Sequence, residues 1–251
     1  ATVRERAAVG LGRIKDPQAI PALLKAFLRK DKLHVGTPAL KALQKFGRKA
    51  APQIAEAFRQ NPNPFMIDLL VETKVDGLAE LLMPLTNDPD PVVRAKAIEA
   101  LGRALHKAMR FDSAATSVET GPEEAFAQKS GVCQDFAHVM IAGLRALGVP
   151  AGYVSGFLRT LPPPGQPRLE GADAMHAWVR AWAGPVMGWV EFDPTNNQPA
   201  GEDYVVVARG RDYGDVAPVM GALRSAGGQA SRHAVDMIPV QAGPARASGA
   251  A

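Results

Sequence analysis

Apolar residues in the first hundred positions recur at intervals of three and four, the spacing of helices that bury one face. The alternation of apolar and polar positions that marks a strand is not seen there. Short breaks containing Asp, Pro or Gly separate one helical segment from the next. The pattern predicts an all-helical domain over residues 1–108.

The helical segments also repeat. The segment VRERAAVGLGR at residues 3–13 returns as VRAKAIEALGR at residues 93–103, an offset of 90 residues or three units of about 30. A period of this length made of paired helices is typical of a solenoid, and a plain helical bundle is the alternative. The segment DPQAIPALL at residues 16–24 resembles the short HEAT-like repeats also seen in phycobilin lyases. That resemblance implies an N-terminal α-solenoid of HEAT-like helix pairs.

The second half of the chain has a different pattern, one helix followed by strands. From residue 133 the apolar positions keep helical spacing up to Gly148, where a glycine and Pro150 end the helix. Residues 176–182 and 189–193 then alternate with a period of two. If the loop between them closes a hairpin, Trp182 lies opposite Trp189. His176 then falls opposite Asp193 or one diagonal step away, within hydrogen-bonding reach.

The only cysteine, Cys133, lies in the first turn of the predicted helix. Unpaired N–H groups and the helix dipole stabilise negative charge at that position, which favours a nucleophilic thiolate. With His176 and Asp193 downstream, the residue types are those of a thiol nucleophile, its base and the group that orients the base. His138 is a poor partner for the thiol because it lies about 140° around the helix, and we interpret it as a polar-face residue near Asp135.

Each of these three residues also has a simpler structural interpretation. A lone cysteine is more often a small buried apolar residue than a nucleophile. His176 can be a histidine on a sheet face that is hydrogen-bonded to the backbone. Asp193 followed by Pro194 can be an ordinary turn at the end of a strand.

Four segments, in order along the chain, resemble the bacterial transglutaminase-like family, a branch of the papain-like cysteine hydrolase superfamily. They are GVCQDFAHVMIAGLRALGVPAGYVSGFL, DAMHAWVRAW, GWVEFDPTNN and GRDYGDV. The resemblance implies an α+β core over residues 109–240, with a helix packed on an antiparallel sheet. It also implies that Cys133 is the nucleophile, that His176 is the general base and acid, and that Asp193 orients the imidazole.

The activity implied by this resemblance is acyl transfer. A thioester formed from a peptide, isopeptide or glutamine-type amide would be hydrolysed, and the helical repeats would dock the protein or peptide substrate. One alternative is a protein-glutamine gamma-glutamyltransferase, in which an amine outcompetes water and cross-links result. The other is a non-enzymatic HEAT-repeat scaffold with a core that only binds.

Other parts of the predicted site are less determined by the sequence. The backbone N–H of Cys133 is the natural first donor to the oxyanion, and Gln128 or Gln134 is a candidate for the second. Trp178 and Trp189 are expected in the core or on the wall of the cleft. The polar GRDYGDV segment either borders the cleft or forms a turn held by aspartates. The loop at residues 160–172 is expected to border the cleft.

Charge divides between the two halves. Residues 1–110 hold 19 Lys and Arg against 11 Asp and Glu, whereas residues 111–251 hold 10 against 14. The basic repeats suggest an acidic protein partner, although a solvated surface that keeps its charges for solubility is the plainer interpretation. Nucleic acid is disfavoured as a partner because the basic residues are dispersed with few aromatic residues among them. The sequence leaves the oligomeric state open.

The cysteine count and the length of the apolar runs limit the class of protein. One cysteine excludes an internal disulfide, and the absence of a long apolar run argues against a membrane span. We therefore expect a cytoplasmic protein, with export left open because the chain begins without Met, inside a repeat. No metal-ligand cluster or phosphate-binding loop is recognisable, so no metal or cofactor is predicted. Residues 241–251, rich in Ala, Gly and Pro, are expected to be a disordered tail.

Overall fold

A computed structural model describes residues 3–28, 33–162, 164–167, 171, 173–218, 221, 227–228 and 234–239. Its first part consists of helices joined by short turns. The helices are α1 Val3–Ile14, α2 Ile20–Phe27, α3 Leu33–Phe46, α4 Ala51–Gln60, α5 Pro64–Glu72, α6 Leu78–Leu82 and α7 Pro91–Ala108. The all-helical prediction for this region is confirmed.

Local signals in the sequence fix where these helices begin. Before α5, the Asn63 side chain accepts the N–H of Phe65 at 2.9 Å. Before α7, the Asp90 side chain accepts the N–H of Val92 at 2.8 Å. A proline follows each capping residue as the first residue of the helix, where its missing N–H costs no hydrogen bond.

The helices stack in two layers, as expected for a solenoid. Helices α1, α3, α5 and α7 contact one another in succession, and α2 packs against α4 in the second layer. The successive helices approach closely where a glycine allows it. A Cβ at Gly12 of α1 would lie only 2.8 Å from the Cα of Ala42 in α3. The first copy of the repeated segment thus contains a close contact between two helices.

The second part of the chain is an antiparallel sheet with helices beside it. The strands are β1 Arg110–Phe111, β2 Ser130–Gly131, β3 Ala151–Leu158, β4 Met175–Trp182, β5 Trp189–Asp193, β6 Gln198–Pro199 and β7 Tyr204–Gly210, and the helices are α8 Pro122–Gln128, α9 Cys133–Ala146 and α10 Tyr213–Val216. Strands β1 and β2 form a small parallel pair. The other five form one sheet in the order β6-β5-β4-β3-β7.

The hairpin of β4 and β5 has the predicted register. Trp182 pairs with Trp189, and Val179 pairs with Phe192. Continuing the register by one residue sets Asp193 level with Trp178. His176 therefore lies one diagonal step from Asp193, the second of the two predicted arrangements.

Helix α9 packs on β3 and β4, and its buried face meets alternate residues of the strands. This cluster includes Phe136, Met140, Tyr153, Val179 and Phe192, all nearly inaccessible to solvent. The architecture is an N-terminal helical repeat region followed by a papain-like α+β core, as the sequence predicts.

Helix α7 belongs to both hydrophobic cores. Its residues Val93, Ala97 and Ala100 are buried in the repeat core, whereas Ile98 and Leu105 are buried in the core beneath α9. The helix ends at Ala108, where the sequence analysis places the domain boundary. The two parts are thus joined by a shared helix rather than by a linker.

Gly102 shows how closely the two parts meet. It occupies the position in α7 that Gly12 occupies in α1, one full set of repeats earlier. A Cβ at Gly102 would lie 2.5 Å from Cδ1 of Phe192 in β5. The α+β core therefore packs against α7 at the same position where the next repeat helix packs against α1.

No helix within the described part of the chain is both long and apolar enough to cross a bilayer. The tail predicted at residues 241–251 lies outside the described residues.

Candidate active site

Cys133 is the first residue of α9, and a buried carboxylate fixes the start of that helix. The side chain of Asp135 accepts the Val132 N–H at 2.7 Å and the Thr116 hydroxyl at 2.6 Å. A Cβ at Gly131 would lie 2.5 Å from Oδ2 of Asp135, so only glycine fits there. The thiol is partly exposed at the positive end of the helix dipole. The side chain is therefore not enclosed in the core.

His176 on β4 lies between Cys133 and Asp193. Its Nε2 is 2.6 Å from Oδ2 of Asp193, and Cys133 is close enough to interact electrostatically with the imidazole. Burial alone would lower the pKa of His176, but the hydrogen bonds to Asp193 and Cys133 outweigh it and raise the pKa to about 9. The imidazole is thus held as an imidazolium at neutral pH, the partner that a thiolate needs.

Asp193, at the end of β5, is completely buried yet well supplied with donors. Burial opposes ionisation, but the hydrogen bond from His176 and further donors lower the pKa of Asp193 below its ordinary value. Its Oδ1 accepts the N–H groups of Thr195 at 2.8 Å and Asn196 at 3.1 Å, and its Oδ2 accepts the Asn196 amide at 2.8 Å and the Tyr204 hydroxyl at 2.8 Å, besides His176. These contacts fix the orientation of the carboxylate.

Two of these supporting residues were missed by the sequence analysis. Asn196 follows the Asp193-Pro194 pair, and its place in a polar turn could have suggested a side chain that bonds back to the aspartate. Tyr204 begins β7, which pairs with β3 rather than with β5. Its ring packs edge-on against Trp178, with centroids 5.1 Å apart. No local pattern in the sequence indicates that contact.

The three secondary site candidates have defined surroundings in the structure. Gln128 has an exposed side chain on α8 that donates to Glu124 at 3.1 Å, away from the thiol. The Gln134 amide donates to the carbonyl of Val118 at 3.0 Å, in the segment that precedes α8. Both side-chain amides thus have a partner within the protein, and their part in binding an oxyanion stays a prediction.

Trp178, the third candidate, lies in the core, one of the two places expected for it. It is fully buried, and its indole N–H donates to Glu191 at 2.8 Å. It is therefore a core residue and does not line a cleft. Its ring stacks on His176 with centroids 6.2 Å apart, so it supports the imidazole from behind. Trp189, by contrast, is 43% exposed.

His138 and the GRDYGDV segment form a structural unit of their own. His138 Nε2 accepts the Tyr213 N–H at 3.2 Å, so the ring is bonded to this segment, not to the thiol. The Asp215 carboxylate accepts the Arg211 N–H and its guanidinium, each at 2.8 Å. The segment is thus a turn held by an aspartate, one of the two predicted alternatives.

An open groove of about 220 Å³ runs up to His176 between the end of β3 and the start of β4. Its lining residues are Leu158, Arg159, Thr160, Ala174, Met175 and His176. Thr160 begins the loop that the sequence analysis expects beside the cleft. Across the described residues no group of three or more His, Cys, Asp or Glu side chains is arranged to hold a metal ion.

Comparison with known proteins gives two family matches. Residues 81–194 match the model of the transglutaminase-like superfamily, and residues 1–72 match the model of HEAT repeats. An uncharacterized protein of Mycobacterium tuberculosis is 40% identical over 162 residues, which cover 63% of this chain and 51% of the relative. The chain thus spans about half the length of the mycobacterial relatives that it matches.

More distant relatives carry other names. A protein-glutamine gamma-glutamyltransferase of Pseudomonas aeruginosa is 38% identical over 82 residues, 32% of this chain and 12% of that protein. A crystal structure of a provisionally assigned cysteine protease from Cytophaga hutchinsonii covers 57% of this chain and 44% of that chain. It has 31% identity and a TM-score of 0.43. The family matches agree with the fold: the N-terminal part of the chain is similar to HEAT repeats, and the part after it is similar to the transglutaminase-like superfamily.

Proposed function

We propose that this chain is a cysteine-dependent amide hydrolase that acts on peptide or glutamine-type amide bonds. Cys133 is the nucleophile, His176 the general base and acid, and Asp193 the residue that orients the imidazole. The observation that carries the proposal is the chain of contacts through His176. One ring nitrogen lies 2.6 Å from a buried carboxylate, and the imidazole also interacts electrostatically with Cys133, a partly exposed residue at a helix start.

The proposed reaction has two stages. The Cys133 thiolate attacks the amide carbonyl carbon, and the C–N bond breaks as His176 gives its proton to the departing amine. Water, deprotonated by His176, then attacks the thioester to release a carboxylic acid and restore the thiol. The backbone N–H of Cys133 stands at a helix start, where it has no intrahelical acceptor, and it is the proposed donor to the oxyanion.

The basic repeats are the proposed docking surface for an acidic protein substrate. Residues 1–110 carry an excess of eight positive charges, and a groove between α1 and α3 has Lys41 and Lys45 on its rim above Val9 and Pro38. We place the activity in the cytoplasm, where a lone cysteine is kept reduced.

Transfer to an amine, which gives cross-links instead of hydrolysis, is the second candidate. Its support is the similarity to the Pseudomonas aeruginosa protein-glutamine gamma-glutamyltransferase over 82 residues. The two reactions share the thioester and differ only in whether water or an amine resolves it. We favour hydrolysis because no residues in the described site suggest a second pocket for an amine.

A single assay separates the candidates. The purified chain is incubated with a glutamine-containing acidic protein and a fluorescent amine, and ammonia release and amine incorporation are measured together. Hydrolysis of a glutamine amide gives ammonia without incorporated label, hydrolysis of a peptide bond gives shorter fragments with neither, and transfer gives ammonia and label in equal amounts. Cys133→Ala, which keeps the fold but removes the nucleophile, is the matched control and should give neither.

The scaffold alternative is tested with iodoacetamide near neutral pH. If the thiol is activated, His176→Ala should slow its alkylation by about tenfold or more, because the thiolate loses its cation. Equal rates in the two proteins would mean an ordinary thiol and would leave a non-enzymatic scaffold.

A further inference from the structure

Helix α7, the last helix of the repeat region, lies along β5, the strand that ends in Asp193. At one end of α7, Arg94 Nε donates to the carbonyl of Ala183 at 2.8 Å, in the turn between β4 and β5. In the middle, Gly102 closely approaches the ring of Phe192. At the other end, His106 reaches the turn after β5. Helix α7 therefore contacts this hairpin along its whole length.

The contact of His106 is the one nearest to the candidate site. Its Nδ1 lies 3.1 Å from the carbonyl oxygen of Pro194 and 3.0 Å from that of Thr195. Because both partners are acceptors, Nδ1 carries the proton, and this N–H is shared between the two carbonyls. The N–H is present in the neutral Nδ1-protonated ring and in the charged ring alike.

The same turn supplies the donors that fix Asp193. The N–H groups of Thr195 and Asn196 point to Asp193 Oδ1, while the carbonyls of Pro194 and Thr195 point to His106. A peptide group is planar, so its carbonyl and its N–H cannot turn independently. Holding the Pro194 and Thr195 carbonyls therefore holds the N–H groups of the two following residues, and with them the carboxylate.

We propose that His106, a residue of the repeat region, is a positioning residue for Asp193 and, through it, for His176. The inference rests on the proposed function, since it assigns the repeats a part in the same site. The final repeat helix is then a component of the catalytic apparatus as well as a docking element. His106 acts through the Asp193 carboxylate and contacts neither the substrate nor the reacting atoms.

The chain offers substitutions that distinguish positioning from simple stabilisation. His106→Asn places an N–H at the same distance from the backbone as Nδ1, whereas His106→Gln places its N–H one bond farther away. His106→Ala removes the donor. The matched control is the neighbouring Lys107→Ala, which also removes a side-chain bond to a carbonyl, that of Val71 at 2.9 Å, but on the repeat side of the helix.

Two readouts are taken on the full chain. The first is the rate of Cys133 alkylation as a function of pH. The second is the proton resonance of the His176 Nε2–H, which the short hydrogen bond to Asp193 shifts downfield. The Ala and Gln variants of His106 should alkylate about five- to tenfold more slowly near neutral pH, since about 1 kcal/mol of orientation is lost. Their acid limb should move to higher pH, and the downfield resonance should broaden or vanish.

The Asn variant of His106 and the Lys107→Ala control should keep both readouts near those of the wild type, even where their melting temperatures fall. Rates that follow the melting temperature across all four variants would overturn the inference, and so would a wild-type resonance in His106→Ala. If alkylation of the wild type does not depend on His176, the proposed function fails. In that case the resonance still decides whether His106 positions the pair.

Discussion

Adding one methyl group to helix α7 tests the packing between the repeats and the α+β core. In Gly102→Ala the new Cβ would stand 2.5 Å from Cδ1 and 2.6 Å from Cε1 of Phe192, and 3.1 Å from Cε of Met140. Carbon atoms pack at about 3.5–4.0 Å, so the ring must withdraw by about 1 Å. Phe192 is only 1% exposed, so its ring can withdraw only by displacing other residues of the core.

Two effects of opposite sign decide the outcome. Alanine is favoured over glycine inside a helix by about 0.8–1 kcal/mol. Overpacking a rigid core costs about 1–3 kcal/mol, and an overlap of about 1 Å with a buried ring belongs in the upper part of that range. We expect Gly102→Ala to lower the free energy of unfolding by about 1–2 kcal/mol.

Gly143→Ala in α9 is the matched control, because nothing lies within 4 Å of its Cβ position. It should gain the helical preference without the overlap. Urea unfolding followed by circular dichroism gives both free energies. The difference between the two variants cancels the preference for alanine and isolates the overlap, at about 1–3 kcal/mol.

The reasoning is refuted if Gly102→Ala proves as stabilising as Gly143→Ala. A second variant localises the effect. In a Phe192→Leu background the smaller side chain leaves room, so Gly102→Ala should cost less there, with a coupling energy of about 1 kcal/mol. The absence of coupling would mean that the ring is not what the methyl group meets.

Two further predictions concern the buried charges. Tyr204→Phe removes a hydroxyl donor 2.8 Å from Asp193 and should lower the free energy of unfolding by about 2 kcal/mol, as for a hydrogen bond to a charged group. In an Asp193→Asn background the same change should lower the free energy of unfolding by less. An equal loss in the two backgrounds would mean that the carboxylate charge is not involved. The pKa of His176 is raised from 6.5 to about 9 by folding, so its contribution to stability, at most about 3 kcal/mol, is complete below about pH 6.5 and is lost as the pH rises through 9. Urea unfolding at about pH 6 and about pH 10 should therefore show a larger loss for the wild type than for His176→Gln, and parallel losses would contradict this.

Local patterns predicted the parts of the site that lie within one element or one hairpin. The start of α9 at Cys133 follows from a glycine and a periodic apolar face. The diagonal approach of His176 to Asp193 follows from the register of β4 and β5. Both depend on contacts between residues close in sequence, where periodicity carries the information.

The residues that surround the pair could not be found in this way. Tyr204 reaches Asp193 from a strand that is not its neighbour in the sheet, and His106 reaches the turn after β5 from the other half of the chain. The side-chain amides of Gln128 and Gln134 donate to Glu124 and to the carbonyl of Val118, contacts that the spacing from Cys133 does not indicate. Sequence spacing does not determine such long-range directions.

The equivalence of Gly12 and Gly102 has a consequence for how this architecture can vary. Because the sheet is seated where another helical pair would go, units can be inserted or deleted only on the far side of α7 without disturbing Phe192 and the turn beyond it. Repeat units before α7 can therefore be added, removed or exchanged, in evolution or by design, without changing the contacts between α7 and β5.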